Sequence, residues 1–254
     1  ADVALPEECC TGLELRRRAG EAFGLAASRL RVVADGRVLQ DDDPLDFDKD
    51  VLIQAVQQPP QLYVAEAAGS CVSRWAPGAS SGETVAGGKG DAAEQLRVPR
   101  GLFVTEGGIV RLDTVNHRVM RWQIGTEVGE IVAGGLGSGP GLGQLSLPRG
   151  IFLDRSGALY VAENGNHRVT RWAQGASEGE VVAGGRGQGD ALDQLSHPFG
   201  VFVDGAGAVY VSEAHNHRVT RWAPGAARGE IVAGGGGAGP GAELLDTPRG
   251  VYVD

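Results

Sequence analysis

Three kinds of side chain that can carry chemistry recur at a fixed interval along this chain. Acidic residues, histidines and arginines return every 50 residues, in the segments 113–118, 163–168 and 213–218. A carboxylate facing a guanidinium can hold a charged group in place, and three imidazoles around one axis could bind a metal ion. The acidic residues are Asp113, Glu163 and Glu213, the histidines are His117, His167 and His217, and the arginines are Arg118, Arg168 and Arg218.

The recurrence itself favours a structural role for these residues, because a catalytic site normally occurs once in a molecule. The acidic residue and the arginine of each set flank a four-residue turn, so they face each other if the two strands pair across it. We therefore expect salt bridges that stabilise each repeat rather than a ring of functional charges. We likewise expect the histidines to be hydrogen-bonded turn residues, with metal binding as the weaker alternative, and we expect no cofactor.

The elements that must position these groups are short strands. In the repeat 148–198, β-branched and aromatic runs end at turns rich in glycine, asparagine or proline, which is typical of strands and hairpins. Residues 151–200 align with 201–250 without a gap and match at 28 of 50 positions, so the repeats should share one structure. Four antiparallel strands in each repeat predict an all-β fold of β-propeller blades. A solenoid fits less well, because four short strands already make a complete small sheet.

Two further recurring features fit this architecture. The tryptophans Trp75, Trp122, Trp172 and Trp222 are expected to pack in the core between blades. The glycine tracts at 134–143, 184–189 and 234–241 lack the Gly-Lys-Ser/Thr of a phosphate-binding loop and do not open a helix. We expect them to be flexible connections between blades.

The repeated motifs resemble a known family. The sequence Pro-x-Gly, then Leu/Val-Tyr-Val-Ala/Ser-Glu, then Asn-His-Arg-Val closely resembles the NHL repeat, over roughly residues 60–254. The resemblance implies a β-propeller, commonly of six blades. It also implies an interaction platform, since most members of the family are platforms and only a few related propellers are enzymes.

Residues 1–58 lack the 50-residue pattern and are expected to form a separate α+β domain, with the propeller in 59–254. A helix is predicted at 11–23, with strands at 30–33, 37–39 and 51–56. This order resembles a ubiquitin-like β-grasp fold that lacks its first strand. No Gly-Gly precedes the propeller, so the domain is not expected to be a conjugated modifier.

Net charge and cysteine content limit the classes of partner and the cellular compartments that are expected. The formal net charge is −9, and neither the first 60 residues nor the rest forms a basic platform, which argues against nucleic acid as the main partner. Three cysteines, two of them adjacent, make no disulfide framework and indicate an intracellular setting, with the cytoplasm as the first expectation. No apolar run is long enough to span a membrane. The chain begins with alanine, so a removed targeting segment and an organellar location stay open.

Taken together, the sequence predicts a non-enzymatic scaffold or adaptor that binds a protein partner. The first alternative is a propeller enzyme, of the lactone hydrolase or lyase type, with a site in the central channel. The second alternative is a ubiquitin-pathway substrate adaptor. Partial repeats at 61–88 and 250–254 further predict that these two segments join in one sheet and close a ring of four blades, the competing view being part of a six-bladed propeller.

Overall fold

The computed structural model describes residues 61–105, 108–123 and 126–254, together with the backbone of three strands that precede them. The chain divides into two compact units, and the larger one consists of Tyr63–Arg74 and Glu83–Asp254. All regular elements in the described residues are β-strands. Within the same residues, no helix has the length and apolar composition needed to cross a membrane.

The three N-terminal strands form one antiparallel sheet. They are β1 (Leu30–Ala34), β2 (Arg37–Val38) and β3 (Ile53–Gln57), in the order β2-β1-β3. β1 pairs with β2, and it pairs with β3 along its whole length. The predicted helix at 11–23 lies outside the described residues, so the ubiquitin-like fold of 1–58 stays a prediction.

Residues 62–234 form four antiparallel sheets, which we call blades 1 to 4. Blade 1 has three strands, and blades 2 to 4 have four strands each. Blade 1 contains β4 (Leu62–Glu66), β5 (Cys71–Trp75) and β6 (Glu83–Gly87), and blade 2 contains β7 (Pro99–Thr105), β8 (Gly108–Asp113), β9 (Arg118–Trp122) and β10 (Glu130–Gly134). Blade 3 contains β11 (Pro148–Leu153), β12 (Leu159–Glu163), β13 (Arg168–Trp172) and β14 (Glu180–Gly184). Blade 4 contains β15 (Pro198–Val203), β16 (Val209–Glu213), β17 (Arg218–Trp222) and β18 (Glu230–Gly234).

Tryptophan side chains fill the space between neighbouring blades. Trp172 packs against Val119, Ala133 and Leu145 of the preceding blade, and Trp222 packs in the same way on blade 3. Trp122, Trp172 and Trp222 are at most 2% exposed, so each buries a large apolar area that stabilises the stacking of one blade on the next. Trp75, in the three-stranded sheet, is only partly buried.

The first strands of the blades, β7, β11 and β15, lie side by side. Glycine makes this close approach possible. A Cβ atom on Gly150 would lie 2.3 Å from the carbonyl oxygen of Phe199, and one on Gly200 would lie 2.4 Å from that of Arg249. Glycine is therefore required at positions 150 and 200, because the backbone of the next repeat passes directly over each of them.

The predicted four-bladed closure is not formed. Within the described residues, the sheet of β4, β5 and β6 has no fourth strand, and residues 250–254 belong to no strand. Instead, the Arg249 carbonyl oxygen accepts a hydrogen bond from Ser212 Oγ at 2.9 Å, and the Tyr252 ring lies 5.1 Å from that of Phe202. The segment fails to join β4 because its Pro-x-Gly region packs against β15 and β16, as each earlier inner strand packs on its neighbour.

We predict that Gly150→Ala and Gly200→Ala each lower the free energy of unfolding by about 1–3 kcal/mol, because the new methyl group overlaps a backbone oxygen that cannot move freely. Gly205→Ala is the matched control, since a Cβ atom there meets nothing within 4 Å. Urea denaturation of the three variants would measure the effect. Equal stability of all three would show that the inner strands are not held at this distance.

Candidate functional site

The repeated acidic residues and arginines form buried salt bridges. The carboxylate oxygen lies 2.7 Å from the guanidinium nitrogen in Asp113–Arg118 and 2.8 Å in both Glu163–Arg168 and Glu213–Arg218. The three carboxylates are completely inaccessible to solvent, and the arginine side chains are 4–8% exposed. A charge buried to this degree must be paired and hydrogen-bonded to be tolerated, so each pair is part of the internal framework.

Further donors complete the hydrogen bonding of each carboxylate. Around Glu163, Oε1 accepts hydrogen bonds from Arg168 Nε at 2.8 Å and Thr170 Oγ1 at 2.8 Å, and Oε2 accepts one from Asn166 Nδ2 at 2.6 Å. Burial raises the pKa of Glu163, while these donors, Arg168 first, act to lower it. Glu213 has the same arrangement with Arg218, Thr220 and Asn216.

The arginines also bind the glycine-rich connectors. Arg168 donates to the carbonyl oxygens of Pro140 at 2.7 Å and Gly141 at 3.0 Å, and Asn166 Nδ2 donates to that of Gly139 at 2.8 Å. Equivalent bonds run from Arg118 to Ala92 and from Arg218 to Asp190. The glycine tracts, which the sequence predicts to be flexible, are thus held by side chains of the following hairpin.

The repeated histidines bind the next connector along the chain. Each accepts, through Nδ1, a hydrogen bond from the backbone N–H that lies 30 residues later. The donors are Leu147 for His117 at 3.1 Å, His197 for His167 at 3.2 Å, and Thr247 for His217 at 3.2 Å. The Asn-His-Arg turn is therefore hydrogen-bonded both to the connector that precedes its blade and to the connector that follows it. No group of ligands that could hold a metal ion occurs in the described residues.

A second set of side chains follows the repeat at every position but one, and sequence reasoning missed it. The residue between proline and glycine in each Pro-x-Gly motif is Arg100, Arg149, Phe199 and Arg249 in turn; we call these four the arginine–aromatic cluster. The guanidinium carbon of Arg149 lies 5.4 Å from the centre of the Phe199 ring, and that of Arg249 lies 5.3 Å from it. Two cations thus lie over one aromatic side chain, and Arg100 is close enough to Arg149 for its charge to act on it.

The charges of this cluster are not neutralised within the described part of the chain. No carboxylate there lies within salt-bridge distance of the three arginines, and the buried Nε of Arg149 has no hydrogen-bond partner. Burial lowers the pKa of Arg149, and the nearby charges of Arg100 and Arg249 lower it further. The sequence signal was the excess of arginine at one motif position, but only the fold shows that these positions meet.

Three imidazoles adjoin the arginine–aromatic cluster. The His197 ring lies 4.7 Å from that of His167 and 3.7 Å from that of His215, measured between ring centres. Burial lowers the pKa of His197, and the neighbouring His215, His167 and Arg149 add to this effect. His197 and His215 are also unrepeated, since leucine and glycine occupy their positions in blade 3.

Two surface grooves lie farther out between blades and are themselves repeated. One runs beside Arg121, Glu130 and Trp172, and the other beside Arg74, Glu83 and Trp122. They occupy equivalent positions in successive blades, so they arise from the way in which blades stack. The unrepeated residues of the inner strands are the stronger candidate for a specific site.

We predict that Arg168→Ala lowers the free energy of unfolding by about 3–5 kcal/mol, because it leaves the Glu163 carboxylate buried without its cation. Arg171→Ala is the control, since Arg171 and Glu180 form a pair at 2.9 Å whose side chains are 34% and 63% exposed. This second change should cost no more than about 1 kcal/mol. Chemical denaturation would compare the two, and equal losses would contradict an internal role for the Glu163–Arg168 pair.

We also predict that the protein loses stability as the pH falls from about 7 through 6.5. Burial lowers the folded-state pKa of His117 and His167 below the ordinary 6.5; the Asp113 charge opposes this at His117, and His215 adds to it at His167. Below pH 6.5 the unfolded chain therefore binds more protons than the folded one, so the free energy of unfolding decreases. Each kcal/mol lost should lower Tm by about 2–4 °C.

The matched variant for this prediction is the double substitution His117→Asn with His167→Asn. Asparagine tolerates the positive φ of about 53° and 52° at these positions and does not titrate in this range. Its Tm should depend less on pH between 7 and 5 than that of the unaltered protein. An unchanged pH slope would show that these histidines do not set it.

Comparison with known proteins supports the fold alone. No protein-family model matches the chain, and no curated protein matches it either. A solved structure of a protein of unknown function from Bacteroides thetaiotaomicron is 17% identical and covers 89% of this chain and 62% of its own length, with a TM-score of 0.56. An auxiliary nutrient binding protein from the same organism is 15% identical and covers 63% of this chain and 44% of its own length, with a TM-score of 0.49.

The chain spans less than two thirds of the length of each of these solved proteins. The protein of unknown function is β-propeller-like, and the described part of the present chain contains three four-stranded antiparallel sheets, which is consistent with propeller blades. The described part of the larger unit therefore has a β-propeller-like fold.

Proposed function

We propose that this chain is a non-enzymatic interaction protein of the NHL type, whose propeller-like unit holds a protein partner. The proposal includes a ubiquitin-like domain in residues 1–58, the propeller in 59–254, and an intracellular location. The observation that supports binding most directly is the arginine–aromatic cluster, because the buried Nε of Arg149 has no hydrogen-bond partner and no carboxylate of the described residues pairs with its arginines.

The hydrogen bonding of the repeated acidic residues and histidines weighs against an enzyme. A lactone hydrolase or lyase site needs a carboxylate, imidazole or metal that is free to act on a substrate. The buried carboxylates Asp113, Glu163 and Glu213 are each held by an arginine, and the repeated histidines each accept a backbone hydrogen bond. The arginine–aromatic cluster itself contains guanidinium groups and one phenyl ring, which can recognise a partner but supply no nucleophile or base.

The inner strands also provide an apolar surface beside the cluster. The rings of Phe103, Phe152, Phe202 and Tyr252 form a row across adjacent strands, with successive ring centres 6.0, 4.9 and 5.1 Å apart. Tyr252 is 80% exposed. Aromatic residues and arginine are the types enriched at the centres of protein interfaces, so the row and the cluster together suit a protein partner.

The proposal predicts that a partner depends on this face. The full chain, immobilised on beads, would capture proteins from an extract of its source cells, and mass spectrometry would identify them. The double variant Arg149→Ala with Arg249→Ala should lose a specific set of captured proteins. The double variant Arg155→Ala with Arg228→Ala removes the same charge from two exposed turns and should retain that set.

Two results would contradict the proposal. One is an identical set of proteins on both double variants and on the unaltered chain. The other is turnover of a small lactone by the purified chain that the Arg149→Ala, Arg249→Ala variant abolishes, since this would place chemistry rather than partner binding on the inner face.

A further inference from the structure

We infer that the arginine–aromatic cluster is a binding site for an acidic peptide, with carboxylates of the partner held between Arg149 and Arg249 against Phe199. The inference rests on the interaction function proposed above and specifies the chemistry of the partner. Arg100 contributes a third positive charge to the same site.

The local backbone places these residues where they can reach a ligand. In β11, Pro148 pairs with Glu163 but Gly150 pairs with Ala162, so Arg149 is the extra residue of a β-bulge. The register of β7 and of β15 shifts in the same region, after Pro99 and after Pro198. A bulge leaves its extra residue outside the sheet pairing and redirects its side chain, which is why bulges often occur beside binding sites.

The cluster also departs from the repeat, unlike the framework around it. Arginine occupies the motif position in three repeats, and Phe199 occupies it in the fourth, where it contacts two of those arginines. Substituting one aromatic residue into a set of cations converts a symmetric group of repelling charges into an asymmetric site. A site that occurs once in a repeat protein is the expected mark of specific recognition.

The positive charge of the cluster favours an oxyanion as its ligand. Arg149 and Arg249 lie over the same ring and repel each other, the charge of Arg100 also acts on Arg149, and in the described residues no carboxylate offsets that repulsion. The contact with Phe199 holds two of them in place through cation–π attraction without using their hydrogen-bond donors. A carboxylate is the acceptor that a guanidinium binds best, through two parallel N–H···O bonds.

Two observations favour a peptide over a nucleic acid or a free anion. The chain carries a net charge of −9, which disfavours the binding of a phosphate backbone. The cluster shares its strands with the aromatic row, since Arg149 and Phe152 lie on β11 and Phe199 and Phe202 lie on β15. A peptide that alternates acidic and apolar residues can satisfy both features, whereas one small anion reaches only the charges.

The test is a titration of the purified full chain with labelled peptides, followed by fluorescence anisotropy. A peptide of alternating glutamate and leucine should bind, and the same peptide with glutamine in place of glutamate should not. Arg149→Ala and Arg249→Ala should each weaken binding about tenfold or more, while Arg155→Ala should leave it unchanged. If Arg149→Ala fails to fold, the exposed Arg249 carries the test alone.

Competition experiments decide among the sources of the anion. Inorganic phosphate that displaces the peptide at equal concentration would overturn the inference in favour of a small-anion site, and tighter binding of a single-stranded RNA would overturn it in favour of nucleic acid. Capture of cellular partners that depends on Arg149 and Arg249 but is unaffected by the acidic peptide would overturn the inference and leave the interaction function standing. Capture that is indifferent to both arginines would instead contradict the interaction function itself.

Discussion

The structure depends on one interaction, the buried ion pair between the last residue of the second strand and the first residue of the third strand in blades 2 to 4. The pair at Glu163 and Arg168 is shielded from water, so its strength comes from complete hydrogen bonding rather than from Coulomb attraction alone. The unused donors of Arg168 reach the connector that precedes the blade. One charged pair thus fixes a hairpin and a loop that is distant in sequence, and it adds to the packing of the one buried leucine, such as Leu145, that the connector contributes to the core.

Local patterns in the sequence account for much of this architecture. The 50-residue period and the strand and turn residues predict the sheets of blades 2 to 4, because strand formation depends on alternation and turn chemistry that can be recognised within a dozen residues. The facing of Glu163 and Arg168 follows from hairpin pairing in the same way. The partners of the connectors could not be predicted, since Arg168 meets Pro140 and His167 meets His197 only after blades stack.

The candidate site could not be predicted from local sequence patterns. Arginine in a Pro-x-Gly motif is unremarkable in any one repeat, and its significance arises only because β7, β11 and β15 lie side by side.

The predicted closure of the ring is wrong for a related reason. The segment at 250–254 has the sequence of a first strand, but sequence alone does not say which neighbour it packs on, and the structure places its backbone over Gly200. Long-range neighbours are set by packing, which a single sequence encodes only indirectly.

The hydrogen bonds of the Asn-His-Arg turn affect how the molecule unfolds. In many repeat proteins each unit touches only its neighbours through apolar surfaces, so the ends can fray while the middle stays folded. Here His167 holds the N–H of His197, and Asn166 holds the carbonyl of Gly139, so loosening blade 3 releases the chain on both sides of it. The blades should therefore exchange their amide hydrogens as one cooperative group and not in a gradient from the ends.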